Sequence, residues 1–512
     1  MDRDWCVNTL KSLRHIFHHG TTVYPSLHKR LDITDSDSTV WIESSEDGSK
    51  SQVTRPLIAR SRSMSIERLR NIHPAVVEPL VSAARETGGV WEKLPLSAWN
   101  IEEITGPNIT DKDTVLTFAQ MTANAYHPEP NKGSWRDIGG FNKSFPFGWE
   151  EDGIRGHIYA NPDSSIVVIA FKGTSRALWD GEGTTKNDKD NDNLFFGCCC
   201  GQGSYFYRHV CDCNTGTYTC NMPCLRDKMR EENRYYAAIK HLYSNVTTLY
   251  PDAEVWLAGH SLGGALSGLL GLTYGRPAVT FEAIPDALPA SRLGLPFPPG
   301  SDPERPQART NTGAYHFGIT SDPVYLGTCN GATASCSFYG YALESACHTG
   351  MECVYDVVKD WGWRVWIGTH GIDKVIDDVI KKYDTVPECR STPECKDCAL
   401  WKETEDDYTT TTSSKPTSTR TRTRTSTCKT PGWWGCLDEK TTNLMTSTRS
   451  LKATSAISTT SCKTHRFLGW GCKDSDSSTA LASSTGLCQF TPTQTFLATS
   501  AAMLSTSGVP GT

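Results

Sequence analysis

The sequence predicts an α/β fold: a mostly parallel central sheet flanked by helices, with a Cys-rich insertion. Two apolar runs of strand length carry this expectation. Ile166 to Phe171 is almost wholly apolar, the pattern of a strand buried on both faces. Val255 to Ala258 is a second such run, and an apolar helical stretch, Leu262 to Leu272, follows it closely. A third observation is the helix-length segment Arg226 to Leu249 between the two runs, so that strand and helix alternate along the chain.

Earlier segments fit the same layout. From Asp113 to Tyr126, the residues Val115, Phe118, Ala119, Thr122 and Ala125 fall near one helical face. Gly153 to Ala160 leads through Asn161-Pro162-Asp163 into the Ile166 run, which reads as strand, turn, strand. The polar, Cys-rich insertion extends from about Ala177 to Leu225.

Composition excludes some classes of function. The net charge of −6 leaves no basic excess for a nucleic-acid partner. The 20 Cys are clustered, and the sole CxxC pair, Cys395 with Cys398, has no second pair to complete a zinc site. Disulfides in an oxidising compartment explain the clusters better. The sequons at Asn108, Asn142 and Asn245 agree with that compartment and are candidate N-glycosylation sites. Residues 1–50 contain no apolar run of the length that a signal peptide or membrane anchor requires.

The central chemical signal is Gly259-His260-Ser261-Leu262-Gly263. It matches G-x-S-x-G, in which glycines permit a tight strand-to-helix turn that lifts a nucleophilic Ser hydroxyl clear of the sheet. The pentapeptide alone is weak; its position between the Val255 run and an apolar helix is what makes it specific. A Ser hydroxyl needs a base, and the base needs an acid to orient it, in the chain order Ser, Asp or Glu, His. Downstream acids are Asp286, Asp302 and Asp322; downstream bases are His316, His348 and His370. Asp322 ends an apolar stretch. His370 precedes a helical stretch, Asp373 to Ile380, and is preferred, with His348 as its rival. The oxyanion of an acyl-transfer intermediate would meet the N–H of Leu262 and a second donor from the loop after the Ile166 strand, at Thr174. His15, His18 and His19 lack partners at metal-ligand spacing, so no metal is expected. Phe195-Phe196 is either the apolar tip of a lid or part of a packed, disulfide-tied loop.

Several motifs together resemble the fungal vacuolar autophagy-related lipases of the class-three lipase superfamily. They are Leu13-Arg14-His15-Ile16-Phe17-His18-His19-Gly20, Phe171-Lys172-Gly173-Thr174-Ser175, Cys198-Cys199-Cys200, the segment around Ser261, Thr280-Phe281-Glu282-Ala283-Ile284-Pro285, Ser321-Asp322-Pro323-Val324 and Gly368-Thr369-His370. The resemblance spans roughly residues 13–400. It implies an α/β-hydrolase fold with Ser261 as nucleophile, Asp322 as acid and His370 as base, and no cofactor. It also implies hydrolysis of acyl esters in membrane phospholipids and triacylglycerols, for lysis of autophagic bodies and multivesicular-body vesicles. The implied partners are membranes and their lipids. The implied location is the vacuole lumen, reached through the endoplasmic reticulum, Golgi and multivesicular body as a single-pass type II membrane protein. Where such proteins carry an anchor, residues 1–12 are polar. A longer transcript with an upstream apolar segment is therefore expected, and a native N-terminal peptide starting at Met1 would count against it.

The expected organisation is a polar N-terminal segment (1–50), a catalytic domain (51–400) and a disordered Ser/Thr-rich tail (401–512), whose composition buries too little apolar surface to fold. Within the tail, Cys428 to Cys436 and Cys462 to Cys472 repeat a Cys-Lys-Thr…Trp-Gly-Cys pattern. These are read as small disulfide loops on an O-glycosylated spacer, in preference to a carbohydrate-binding knob. Two other readings of the chain are a secreted esterase for soluble esters and a non-catalytic surface glycoprotein; the set of Ser, Asp and His disfavours the latter.

Overall fold

A computed structural model describes residues 8–21, 27–33, 40–43, 50–53, 57–86, 94–126, 134–137, 153–174, 185–200, 210–329, 334, 336–337, 340–405, 431–432 and 435–436. The chain divides into two compact units, Met1–Ser413 and Ser414–Thr512. In the second, the described residues form one short hairpin, Pro431–Gly432 with Gly435–Cys436, inside the first of the two Cys repeats. The second repeat lies outside the described residues.

A 12-stranded sheet organises the first unit. Its centre is parallel: Ile166–Phe171, Glu254–His260, Ala278–Phe281, Ala314–Ile319 and Met351–Tyr355 lie side by side in that order. Short Cys389–Arg390 closes one edge, antiparallel to Met351–Tyr355. On the other side an antiparallel wing continues through Ile154–Ala160, Asn8–His19, His28–Asp32 and Ser134–Asp137. Leu57–Leu69 pairs with Asn8–His19 and with Trp99–Pro107. Parallel neighbours joined through helices, with a strand–turn–helix elbow in the middle, make this an α/β-hydrolase fold, and the predominance of parallel pairing expected for the whole sheet holds at its centre.

Alternation along the central strands explains their apolar sequences. Val167, Ile169 and Phe171 face a core shared with Ile239, Leu242 and Tyr243 of the Tyr235–Leu249 helix and Leu262, Leu266 and Leu269 of the Leu262–Tyr274 helix. Val168 and Ala170 face the opposite core, with Val115 and Phe118 of the Lys112–Asn124 helix and Ile376 and Val379. Successive side chains of a strand point to opposite faces, so a strand covered on both sides must be apolar at every position.

The structure corrects three expectations. The segment 1–50 is not set apart from the folded domain, because Asn8–His19 pairs with Ile154–Ala160 and Ile16, Phe17, His18 and His19 are buried. The end of the domain also passes 400, since Lys402–Thr404 pairs in parallel with Thr219–Asn221. Arg226 to Leu249 is not one helix. Met222–Met229 ends before a turn at Arg230-Glu231-Glu232-Asn233-Arg234, and Tyr235–Leu249 starts afresh, because five polar residues in a row offer no apolar face to bury.

The Cys-rich insertion is tied down by disulfides, as its cysteines suggested. Cys199–Cys220, Cys200–Cys211 and Cys213–Cys224 lie within it, and Cys198–Cys398 fastens it to the end of the unit. Cys329–Cys336, Cys347–Cys395 and Cys353–Cys389 hold the later loops. The CxxC pair is thus split, Cys395 and Cys398 going to different partners. Phe195 and Phe196 are fully buried at the end of the Thr185–Phe196 helix, so they are core residues and not a lid tip. Among the described residues no helix is long and apolar enough to cross a membrane.

Candidate active site

The parallel strands end at nearly one level: Phe171 pairs with Gly259, His260 with Phe281, Phe281 with Phe317 and Ile319 with Tyr355. The residues that follow these ends therefore gather on one rim of the sheet, where open α/β sheets present their chemistry. Ser261 follows the Glu254–His260 strand with φ 55° and ψ −127°, outside the ordinary regions for a residue bearing a Cβ. Two glycines make this turn possible. A Cβ on Gly259 would stand 2.2 Å from the Gly263 carbonyl oxygen, and one on Gly263 would stand 2.5 Å from the Phe171 carbonyl oxygen. Helix and strand ends approach too closely at these points for any side chain.

Ser261, His370 and Asp322 are brought into one hydrogen-bonded line. The Ser261 hydroxyl lies 2.9 Å from His370 Nε2, and His370 Nδ1 lies 2.7 Å from Asp322 Oδ2. A carboxylate only accepts, so Nδ1 carries the proton and the Nε2 lone pair faces the Ser hydroxyl. Asp322 is fully buried, whereas the His370 side chain is 14% exposed and so open to a substrate. The other Asp322 oxygen accepts from the Val324 N–H at 2.9 Å. Burial alone would raise the Asp322 carboxyl, but the charge and hydrogen bond of His370 outweigh it and hold the group below its ordinary value. Asp322 is thus kept ionised, as an orienting acid requires.

The loop carrying His370 is itself anchored to the loop carrying Asp322. The Thr369 hydroxyl donates to the Ser321 carbonyl at 2.8 Å, and the Trp366 N–H donates to the same oxygen at 3.1 Å. His260, the variable residue of the elbow motif, adds a second clamp: its Nε2–H donates to the His370 carbonyl at 2.8 Å, and its Nδ1 accepts from the Tyr126 hydroxyl at 2.7 Å. The sequence contained no sign of this clamp beyond a His inside the motif.

The rivals sit elsewhere. Asp286, His316 and His348 form a separate, fully buried group, in which Asp286 accepts from the Thr349 N–H at 2.8 Å and His348 Nε2–H donates to the Tyr325 carbonyl at 3.0 Å. Burial lowers both His316 and His348 to about 4. Asp302 is exposed and caps a surface turn by accepting from the Glu304 N–H at 3.0 Å. Of the two expected oxyanion donors, Leu262 opens the helix directly after Ser261, and the loop of Thr174 comes close to Ser261: a Cβ on Gly173 would lie 3.2 Å from Ser261 Cβ. The Thr174 hydroxyl is engaged by Asp192 at 2.8 Å, which leaves its backbone N–H as the group to consider.

Donor atoms that could hold a metal lie within 4.8 Å of one another in two histidine groups, Asp286/His316/His348 and His19/His28/His241. In the second, His19 is hydrogen-bonded to His241 at 3.1 Å, and burial lowers His19 to about 2. His15 is bound to Asp32 and Tyr250 instead. Of the sequons, Asn108 sits in a half-exposed turn with its side chain bonded to Thr110, and Asn245 lies half-exposed on the Tyr235–Leu249 helix. Asn142 lies outside the described residues.

A Ser–His–Asp line on a strained elbow can carry out acyl transfer. Comparison with known proteins points the same way. Residues 168–278 match the class 3 lipase family. Over 438 residues the chain is 55% identical to a Penicillium rubens protein described as a candidate lipase, atg15, a match covering 84% of this chain and 65% of that one. Residues 168–278 thus carry a segment similar to class 3 lipases, and most of the chain is similar to that relative. The chain spans 65% of the length of that relative. Among solved structures it is similar to Lip2 lipase of Yarrowia lipolytica, at 17% identity over 47% of this chain and 77% of that one, TM-score 0.24. A triacylglycerol lipase of Penicillium expansum aligns at 15% identity over 48% of this chain and 81% of that one, TM-score 0.23. The fold rests on the strand order and connections above and not on these alignments.

Proposed function

We propose that this chain is a serine lipase that hydrolyses acyl esters of membrane glycerolipids and triacylglycerols, with Ser261, His370 and Asp322 as its catalytic residues. One observation carries the reading: the continuous hydrogen-bonded path from the Ser261 hydroxyl through His370 to buried Asp322. His370 Nε2 takes the Ser261 proton as Oγ attacks the ester carbonyl carbon. The carbonyl π electrons move onto oxygen, which the backbone N–H groups of Leu262 and Thr174 would bind. Collapse breaks the C–O bond to the alcohol, and the alkoxide leaves with the proton held on His370. Water, deprotonated by the same His370, then attacks the acyl-enzyme, releases the fatty acid and returns the proton to Ser261.

A lipid substrate is supported by the surface between the Met351–Tyr355 strand and His370. Val358, Trp361, Val365 and Trp366 are exposed there, Trp366 by 54%. Indole rings with one apolar and one polar edge favour a membrane–water boundary. We extend the reading to the vacuole, reached through the endoplasmic reticulum and Golgi, and to lysis of autophagic bodies and multivesicular-body vesicles, as the family resemblance implies. The N-glycosylation of Asn108, Asn142 and Asn245 would accompany that route.

The direct test is fatty-acid release from phospholipid vesicles by the full chain and by its Ser261→Ala variant. Release that vanishes in the variant is expected. Cleavage of short soluble esters with no release from vesicles would replace the lipase reading by that of a soluble-ester esterase. For the cellular role, cells expressing only Ser261→Ala should accumulate intact autophagic bodies; normal lysis in those cells would overturn it.

A further inference from the structure

Glu282 takes no part in the mechanism above, yet it lies against it. It directly follows the Ala278–Phe281 strand, with φ 45° and a side chain that is fully buried. Its N–H is held by the Phe317 carbonyl at 2.8 Å, so the unusual backbone is fixed by the sheet end. One carboxyl oxygen, Oε2, accepts from the Ile319 N–H at 3.3 Å. Glu282 lies beside Asp322: Ile319, whose N–H reaches Glu282, accepts from the Asp322 N–H at 3.2 Å through its carbonyl, and the two buried carboxyls act on each other's ionisation. Among the described residues Glu282 forms no ion pair.

Two carboxyl groups share a hydrogen bond only if one of them is protonated. Asp322 already accepts from His370 Nδ1 and from the Val324 N–H, two donors that favour its anion. Glu282 has only the long bond from Ile319 on one oxygen, and its Oε1 meets no donor. An unpaired carboxylate in a dry interior is costly, whereas the neutral acid can donate. The proton therefore belongs on Glu282. Burial, followed by the charge of Asp322, pushes its carboxyl well above the ordinary range.

We propose that Glu282 is a positioning residue: a neutral carboxylic acid that donates to Asp322 and holds it in the orientation His370 needs. This rests on the reading of Ser261, His370 and Asp322 as the catalytic array. The titratable groups around Glu282 are Asp322, beside it, Tyr325, which is buried and donates to the His316 carbonyl at 3.0 Å, and His370 beyond Asp322. Removing the Glu282 proton would put a second negative charge beside Asp322 and take away its donor together.

Glutamine is the isosteric probe, since its amide N–H₂ can donate at any pH. With the full chain and a soluble ester near pH 6, Glu282→Ala is expected to lower kcat by about 10- to 100-fold, with KM changed far less, as expected when an acid is misplaced rather than a binding site lost. Glu282→Gln is expected to recover most of that loss and to keep its activity further into the alkaline range than the parent. A Glu282→Gln protein that is folded but as inactive as Glu282→Ala would overturn the proposal. An infrared difference spectrum, parent minus Glu282→Gln, at neutral pH reads the proton directly and does not depend on turnover or on Glu282→Ala folding. A protonated-carboxyl carbonyl band is expected, and its absence would also overturn the proposal. Undiminished activity of Ser261→Ala would instead sink the catalytic reading, leaving the infrared result to report on the Glu282–Asp322 pair alone.

Discussion

At the scale of single residues, the site separates strain from chemistry. Ser261 occupies a backbone region with positive φ, and the structure around it, from the Gly259 and Gly263 contacts to its N–H bond with the Phe281 carbonyl at 3.1 Å, enforces that geometry. Ser261→Ala should therefore fold normally and lose activity by about 10⁴-fold or more, as judged by turnover together with near-ultraviolet circular dichroism. Asp322→Asn should leave the fold intact but admit the wrong His370 tautomer, lowering kcat by roughly 10³- to 10⁴-fold.

At the scale of elements, the elbow is a packing device as much as a turn. Leu262–Tyr274 is buried along its whole length, and its first turn presses on the end of the Ile166–Phe171 strand through Gly263. Gly263→Ala would drive a methyl group into the Phe171 and Lys172 carbonyls, so strand and helix must separate. A loss of about 1–3 kcal/mol is expected in denaturant unfolding, with activity falling further because the Leu262 N–H and Ser261 shift together. Unchanged stability would mean that the helix moves freely at its start. The clamp from Tyr126 through His260 to the His370 carbonyl works on the same scale, joining the segment after the Lys112–Asn124 helix to the loop of His370.

Over the whole molecule, disulfides and buried titratable groups contribute to stability and to its pH dependence. Cys198–Cys398 closes a separation of 200 residues, and replacing both by Ala should lower stability by about 2–5 kcal/mol, seen as a lower Tm. His316 and His348 are held neutral, at about 4 against 6.5 for the free group, mainly by burial. The unfolded chain takes up their protons first as pH falls, so the stability they contribute is present above about 6.5 and is lost on the way down through 4. Glu282 has the opposite sense: its raised carboxyl contributes stability at low pH that fades as pH rises above the ordinary carboxylate range. Tm measured across this span should decline on the acid side, and a His316→Gln/His348→Gln double variant should show a shallower decline whatever its absolute Tm. An equal slope would mean that other groups carry the acid sensitivity.

The local features of this protein were legible in its sequence. The apolar runs at Ile166 and Val255, the glycines flanking Ser261 and the periodicity from Val115 to Ala125 express steric and burial rules that act over a few neighbouring residues, and the elements found there follow them. The motifs that resemble class 3 lipases likewise named Ser261, Asp322 and His370 as residues to follow. Which side chains meet across long separations was decided by tertiary packing. Asp286 and His348 suit a catalytic pair as well as Asp322 and His370 by order along the chain, but strand register buries them with His316, away from the elbow. The polarity of residues 1–50 hid a strand that pairs with Ile154–Ala160, and nothing local marked Glu282 as the partner of Asp322. Periodicity and turn chemistry are properties of a short stretch, whereas the protonation of a buried carboxyl depends on what the rest of the fold packs against it.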